Sequence, residues 1–170
     1  MLRGRVKWDD YFMTQALWSK VRSPDTSTQH GCVLVDKRGR LVGQGYNGYP
    51  SKIDDSKMPQ TRPEKYPPIL HSEENAILNS IGDLEGATLY VTGPPCIHCW
   101  AHIIQKGIKR VVYGPVTASH KGPYSNSKIE SVVEDMLENQ DIEIVRWVPN
   151  NYELIKEELN AIQQLVASLV

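Results

Sequence analysis

In ATLYVTGPPCIHCWAHIIQKG, residues 87–107, an apolar run gives way through two prolines to a pair of cysteines three positions apart. The run reads as a strand, and Pro95 sits where a helix accepts proline, near its first turn. Cys96 and Cys99, one helical turn apart, share one face. Such a pair binds a metal, cycles as a dithiol or is incidental. Thioredoxin-like pairs occupy the same strand-to-helix joint, so context alone leaves these readings open. The chain must in any case set a helix N-terminus, with both sulfurs, at the end of a strand.

The rest of the chain continues that alternation. Apolar residues at helical spacing (Trp8, Tyr11, Phe12, Ala16, Leu17, Val21) predict a helix over 8–22, broken by RSPDTSTQ. HGCVLVDKRGRLVGQGYNG reads as two strands around a turn at 37–40. A long loop rich in proline and charge follows over 47–70, a length that in a compact domain is usually functional or mobile. SEENAILNSIG is a helix starting at Ser72, IKRVVYG a strand, SKIESVVEDMLENQ a helix, DIEIVRWV a strand, and residues 151–170 a last helix. Strands alternating with helices predict an α/β domain with a mixed sheet: an antiparallel first hairpin, then partly parallel strands. With 170 residues, no repeats and no linker, one domain over 1–170 is expected.

Composition narrows the setting. No apolar run is long enough to span a membrane, and MLRGRVKWDDYF lacks a signal peptide's apolar core. Three cysteines are too few for a disulfide framework, which points to a reducing cytoplasm. A net charge of −1 gives no footprint for a nucleic-acid backbone. Cys32, within GCVLVD, reads as a small buried hydrophobe.

Metal geometry selects among the histidines. Both sulfurs can reach one zinc ion at about 2.3 Å. His98 is rotated about 200° from Cys96, and His102 lies roughly 9 Å along the axis, so neither joins the pair on a straight helix. His30 and His120 sit in or beside loops with no spacing signal. His71 remains, at the start of a neighbouring helix. Three ligands, His71, Cys96 and Cys99, leave a fourth position open for water, as in catalytic zinc sites. Glu73, two residues on, reaches that water without ligating and serves as a proton shuttle. Alone it would read as a helix-start glutamate favoured by the dipole, the role left to Glu74.

His71-Ser72-Glu73 followed by Pro95-Cys96-Ile97-His98-Cys99 matches H-x-E…P-C-x-x-C and resembles the zinc-dependent deaminases of nucleobases. WDDYFM, GQGYNGYP, HSEENAIL and IIQKGIKRVVY extend the resemblance over most of residues 8–148, within which the chain is most similar to the deoxycytidylate (dCMP) deaminases. The resemblance implies a cytidine-deaminase-like, three-layer α/β/α domain around a mixed five-stranded sheet. It implies one catalytic Zn²⁺ and hydrolytic deamination of dCMP to dUMP, which supplies thymidylate synthesis. It also implies sugar contact by Asn47, which is equally a natural turn residue between glycines; dCTP and dTTP as effectors near Tyr46 and Gly48; and a homo-oligomer, often a hexamer. Ser72 and Trp100 stand where alanine is common in the family. Ser27-Thr28-Gln29 stands where basic residues, associated with the substrate phosphate, are common. Ser27 and Thr28, with Lys121 and Tyr124 from VTASHKGPYSNSK, are then the expected phosphate donors.

Other readings keep the fold and change the function: deamination of dCTP, of free cytidine or of tRNA adenosine; an inactive zinc-stabilised nucleotide-binding module; or redox use of the two cysteines. An intact Glu73 argues against the module. The apolar stripe Leu154, Ile155, Leu159, Ile162, Leu165, Val166 and Leu169 on the last helix either covers the protein's own sheet or contacts another subunit.

Overall fold

The computed structural model describes residues 4–116 and 127–169, so the expected phosphate donors Lys121 and Tyr124 lie outside the described residues. Five strands, β1 (Gly31–Val35), β2 (Leu41–Tyr46), β3 (Thr88–Val91), β4 (Arg110–Tyr113) and β5 (Glu143–Arg146), form one sheet in the order β2-β1-β3-β4-β5. β1 pairs antiparallel with β2 and β3, while β3–β4 and β4–β5 are parallel. Both parts of the expected mixed sheet are present: the hairpin, and the parallel strands that helical crossovers require.

Period-2 alternation sends the residues of β1, β3 and β4 to two cores. Cys32, Leu34, Leu89, Val91 and Val111 meet Ala76, Ile77, Trp100 and Ile103 of α2 (Ser72–Leu78) and α3 (Ile97–Gln105) on one face. Val133, Met136 and Leu137 of α4 (Ser127–Leu137) add to that layer. On the other face Val33, Val35, Tyr90 and Val112 meet Phe12, Met13 and Ala16 of α1 (Trp8–Ser19). Strands buried on both faces account for the near-continuous apolar runs GCVLV and TLYV. Cys32 is fully buried, as a small core residue should be.

The stripe expected on α1 is only partly the buried one. Phe12 and Ala16 face the core together with Met13, but Trp8 is 70% exposed and Val21 63%. Asp10, absent from any apolar stripe, is buried because its carboxylate accepts bonds from Trp147 Nε1 (3.0 Å) and Asn150 N (3.1 Å). A paired polar group thus takes a core position that an apolar pattern cannot register.

The last helix, α5 (Tyr152–Ala167), buries only Ile155. Leu159, Ile162, Leu165 and Val166 are 45%, 54%, 68% and 57% exposed, so the stripe does not cover the sheet. Among the described residues no helix is long and apolar enough to cross a membrane.

Candidate active site and metal centre

Two helix starts build the site. The 47–70 loop is closed by a bridge in which Gly48 N–H and C=O pair with Leu70 (3.1 and 2.9 Å), and the next residue is His71, the N-cap of α2. α2 lies directly on β2 because Gly45 has no side chain. A Cβ there would sit 2.3 Å from Ala76 N and 2.4 Å from Ser72 O, far inside contact distance. Asn75 Nδ2 adds a 2.8 Å bond to Tyr46 O. Further along the sheet, β3 ends and Cys96 becomes the N-cap of α3, with Trp100 N bonded to Cys96 O at 2.9 Å. Trp100 packs into the core.

These two ends bring His71, Cys96 and Cys99 together. His71 Nδ1 lies 3.3 Å from Cys96 Sγ and 3.4 Å from Cys99 Sγ, and the sulfurs are 3.7 Å apart. Ligands around a tetrahedral zinc, at about 2.3 Å for sulfur and about 2.0 Å for nitrogen, would be separated by about 3.7 and 3.5 Å. The donor set therefore fits zinc in identity and spacing, and among the described residues these are the ones positioned to form a metal site. Their electrostatics agree. The hydrogen bond to Cys99, with His71 beside it, pulls the Cys96 thiol down to about 3. The bond to Cys96 in turn raises His71 to about 9. Cys96 thus favours the thiolate before any cation arrives, while its hydrogen bond to Cys99 and burial push the Cys99 thiol up; both N-caps lie at positive dipole ends. His98 and His102, excluded by geometry, are exposed on α3.

Glu73 is 6% exposed, and burial raises its pKa. Ser72, fully buried, donates from Oγ to Glu73 Oε2 at 2.9 Å. The serine that replaces the common alanine thus contacts the carboxylate. Glu74 is half-buried.

The remaining expected residues fall around this centre. Asn47 is buried, and its side chain is spent on backbone: Oδ1 accepts from His30 N (2.6 Å) and Nδ2 donates to Thr28 O (3.0 Å). Ser27 and Thr28 donate their N–H groups to Asp25 Oδ1 at 2.7 and 3.1 Å. Ser27 Oγ accepts from Lys65 Nζ at 3.1 Å, and Lys65 pairs with Asp25 at 2.9 Å, the two side chains being 5% and 9% exposed. This buried cation, forty residues away in the chain, has no local sequence signal. Tyr46 carries Arg22 over its ring at 5.9 Å and lines an open cleft of about 320 Å³ with Arg22, Tyr49 and Asn79. Gly48 has both backbone groups engaged by Leu70.

Residues 6–115 match the model of the cytidine and deoxycytidylate deaminase zinc-binding region. The chain belongs to this family. Within the family, a probable deoxycytidylate deaminase of Drosophila melanogaster is 39% identical over 156 residues, covering 85% of this chain and 74% of the relative. The deoxycytidylate deaminase of Mus musculus is 40% identical over 115 residues, covering 64% of this chain and 65% of its own length. The solved dCMP deaminase of cyanophage S-TIM5, in complex with dCMP and dUMP, shares the fold at 24% identity and a TM-score of 0.64, covering 85% of this chain and 100% of the phage chain. The sheet and helices are those of a cytidine-deaminase-like α/β fold, and the cluster at His71, Cys96 and Cys99 falls within the deaminase zinc-binding region.

Proposed function

We propose that this chain deaminates dCMP to dUMP with zinc held by His71, Cys96 and Cys99. The observation that carries this reading is Glu73. A structural zinc has no use for a buried carboxylate beside its ligands, whereas a hydrolytic one needs a group that moves protons. Zinc bound here supplies an acidified water as the nucleophile. Glu73, held by Ser72, takes a proton from the attacking water and places it on the ring N3. It then takes the remaining proton from the C4 hydroxyl and delivers it to N4 as the C4–N4 bond breaks and the C4–O bond becomes the carbonyl of dUMP, with ammonia leaving. Burial pushes its pKa up, which favours the return of a proton once it has been accepted.

The nucleotide substrate is read from the relatives' names and from the 27–28 turn. The Lys65–Asp25 pair fixes that turn and makes it the rim on which a phosphate would rest, with Ser27 and Thr28 supplying hydroxyls and Tyr124 a further donor. Asn47, holding 28–30 by its side chain, orients the same rim. The cleft at Tyr46 and Arg22, near Gly48, is the effector site of this reading, suited to a dCTP or dTTP base stacked on tyrosine. α5 is a contact between copies of one deaminase domain. The three free cysteines fit a reducing cytoplasm.

Purified zinc-loaded protein assayed against cytidine, dCMP and dCTP, with and without dTTP, tests the substrate. The expected result is highest kcat/KM on dCMP and a response to dTTP. Activity confined to cytidine would overturn the nucleotide assignment.

A further inference from the structure

His30 is absent from every motif in the sequence, yet its backbone and its ring are both held by hydrogen bonds. Its N–H donates to Asn47 Oδ1 at 2.6 Å and its C=O accepts from Asn47 N at 3.2 Å. Its ring lies against the end of β3. A Cβ on Gly93 would sit 2.7 Å from His30 Cε1, so only glycine lets the imidazole occupy this place. Nδ1 is 3.2 Å from Thr92 Oγ1.

That contact sets the tautomer. Thr92 is fully buried, and Gly31 N–H already donates to its Oγ1 at 3.1 Å. Among the described residues the hydroxyl proton has one acceptor in reach, His30 Nδ1. A buried hydroxyl that failed to donate would forfeit that bond, so Nδ1 accepts and the ring proton resides on Nε2. Burial lowers the pKa of His30, which favours the neutral ring. Nε2 has no partner among the described residues and is not among the buried unpaired atoms. The fold therefore holds an imidazole rigidly against Gly93, three residues before the metal ligand Cys96, with its Nε2–H unpartnered among the described residues.

We infer that His30 is a substrate-contacting residue: its ring, packed on Gly93 three residues before Cys96, offers a fixed Nε2–H donor to an oxygen acceptor of the bound nucleoside. This rests on the proposed deamination reading. The location follows from chemistry: the reacting C4 must come to the metal cluster, so base and sugar, and not the 5′-phosphate, lie nearest His71. An oriented donor there favours a nucleoside with a matching acceptor and holds the ring for attack.

The test uses the zinc-loaded full chain with ¹⁵N-labelled histidine. Long-range ¹H–¹⁵N spectra should show His30 as the Nε2–H tautomer, and added dUMP should shift that nitrogen. His30→Phe, which keeps a ring and removes the donor, should lower kcat/KM about tenfold on dCMP and on deoxycytidine alike, the loss of one hydrogen bond. Zinc content should stay at one per chain, and His30→Gln should recover part of the loss. A His30 nitrogen unmoved by saturating dUMP, or His30→Phe within twofold of wild type, overturns the assignment. A loss confined to dCMP moves the donor to the phosphate and overturns it equally. If the wild type turns over neither substrate, the deamination reading itself has failed. The dUMP-induced shift then decides alone whether His30 faces a nucleotide.

Discussion

At the scale of single residues, the proton shuttle depends on its neighbour. Ser72 donates to Glu73 Oε2, a bond to the charged form that lowers the carboxyl's pKa against the larger upward push of burial. Removing the hydroxyl leaves burial less opposed, so the pKa rises further. Glu73 must be ionised to accept the first proton; in Ser72→Ala the acid limb of the kcat/KM–pH profile should therefore move to higher pH while zinc stays bound. An unmoved limb would mean that the serine merely fills space. The metal ligands could be read from the sequence because their signal is local: i to i+3 on a helix, and His71 two residues from Glu73. His30, Lys65 and Asp10 could not, because their roles come from partners far along the chain. Thr92 meets His30 across sixty-two positions, Asp25 meets Lys65 across forty, and Trp147 meets Asp10 across one hundred and thirty-seven. No window of neighbouring residues carries such information.

At the scale of elements, α5 departs most from an ordinary single-domain packing. Tyr152, Ile155, Leu159, Ile162, Val166 and Leu169 follow a 3-4-3-4-3 spacing, the seam of helices that pair with one another. Only Ile155 is buried against the domain. Leu159 with Ile162 in the central heptad is a pairing that favours assemblies larger than dimers. Truncation after Pro149 should therefore shift the light-scattering mass to a smaller species with the zinc site retained. A monomeric full-length chain at micromolar concentration would remove the basis for this contact. The apolar face with Leu154, Ile155, Leu159, Ile162, Leu165, Val166 and Leu169 was visible in the sequence, though not the seam that takes in Tyr152; what covers it was not, because periodicity reports a buried face without naming its partner. The same limit explains α1. Trp8 and Val21 belong to the apolar set read over 8–22 yet stand at the helix's first residue and in the 3-10 turn Lys20–Arg22 past its end, at 70% and 63% exposure, while Met13 and Asp10 take the interior.

At the scale of the whole molecule, the sheet order β2-β1-β3-β4-β5 sets the starts of α2 and α3 side by side, and the catalytic proposal depends on that juxtaposition. The loop closed by Gly48 and Leu70 delivers His71, Gly45 lets α2 lie on β2, and the end of β3 delivers Cys96. Alternating strands and helices made the α/β class and the mixed sheet readable in advance, since each parallel pair needs a crossover long enough to be a helix. If these parts form a hydrolytic deaminase, metal binding and proton transfer are separable functions of neighbouring residues. Glu73→Gln keeps the size of the side chain and removes its basicity, leaving His71, Cys96 and Cys99 untouched. The decisive measurement is zinc content and dUMP release from dCMP on the same preparations of wild type and Glu73→Gln. One zinc per chain in both, with turnover lowered by about 10²–10⁴-fold in the variant, is the expected result; zinc-replete Glu73→Gln turning over at close to the wild-type rate would contradict it.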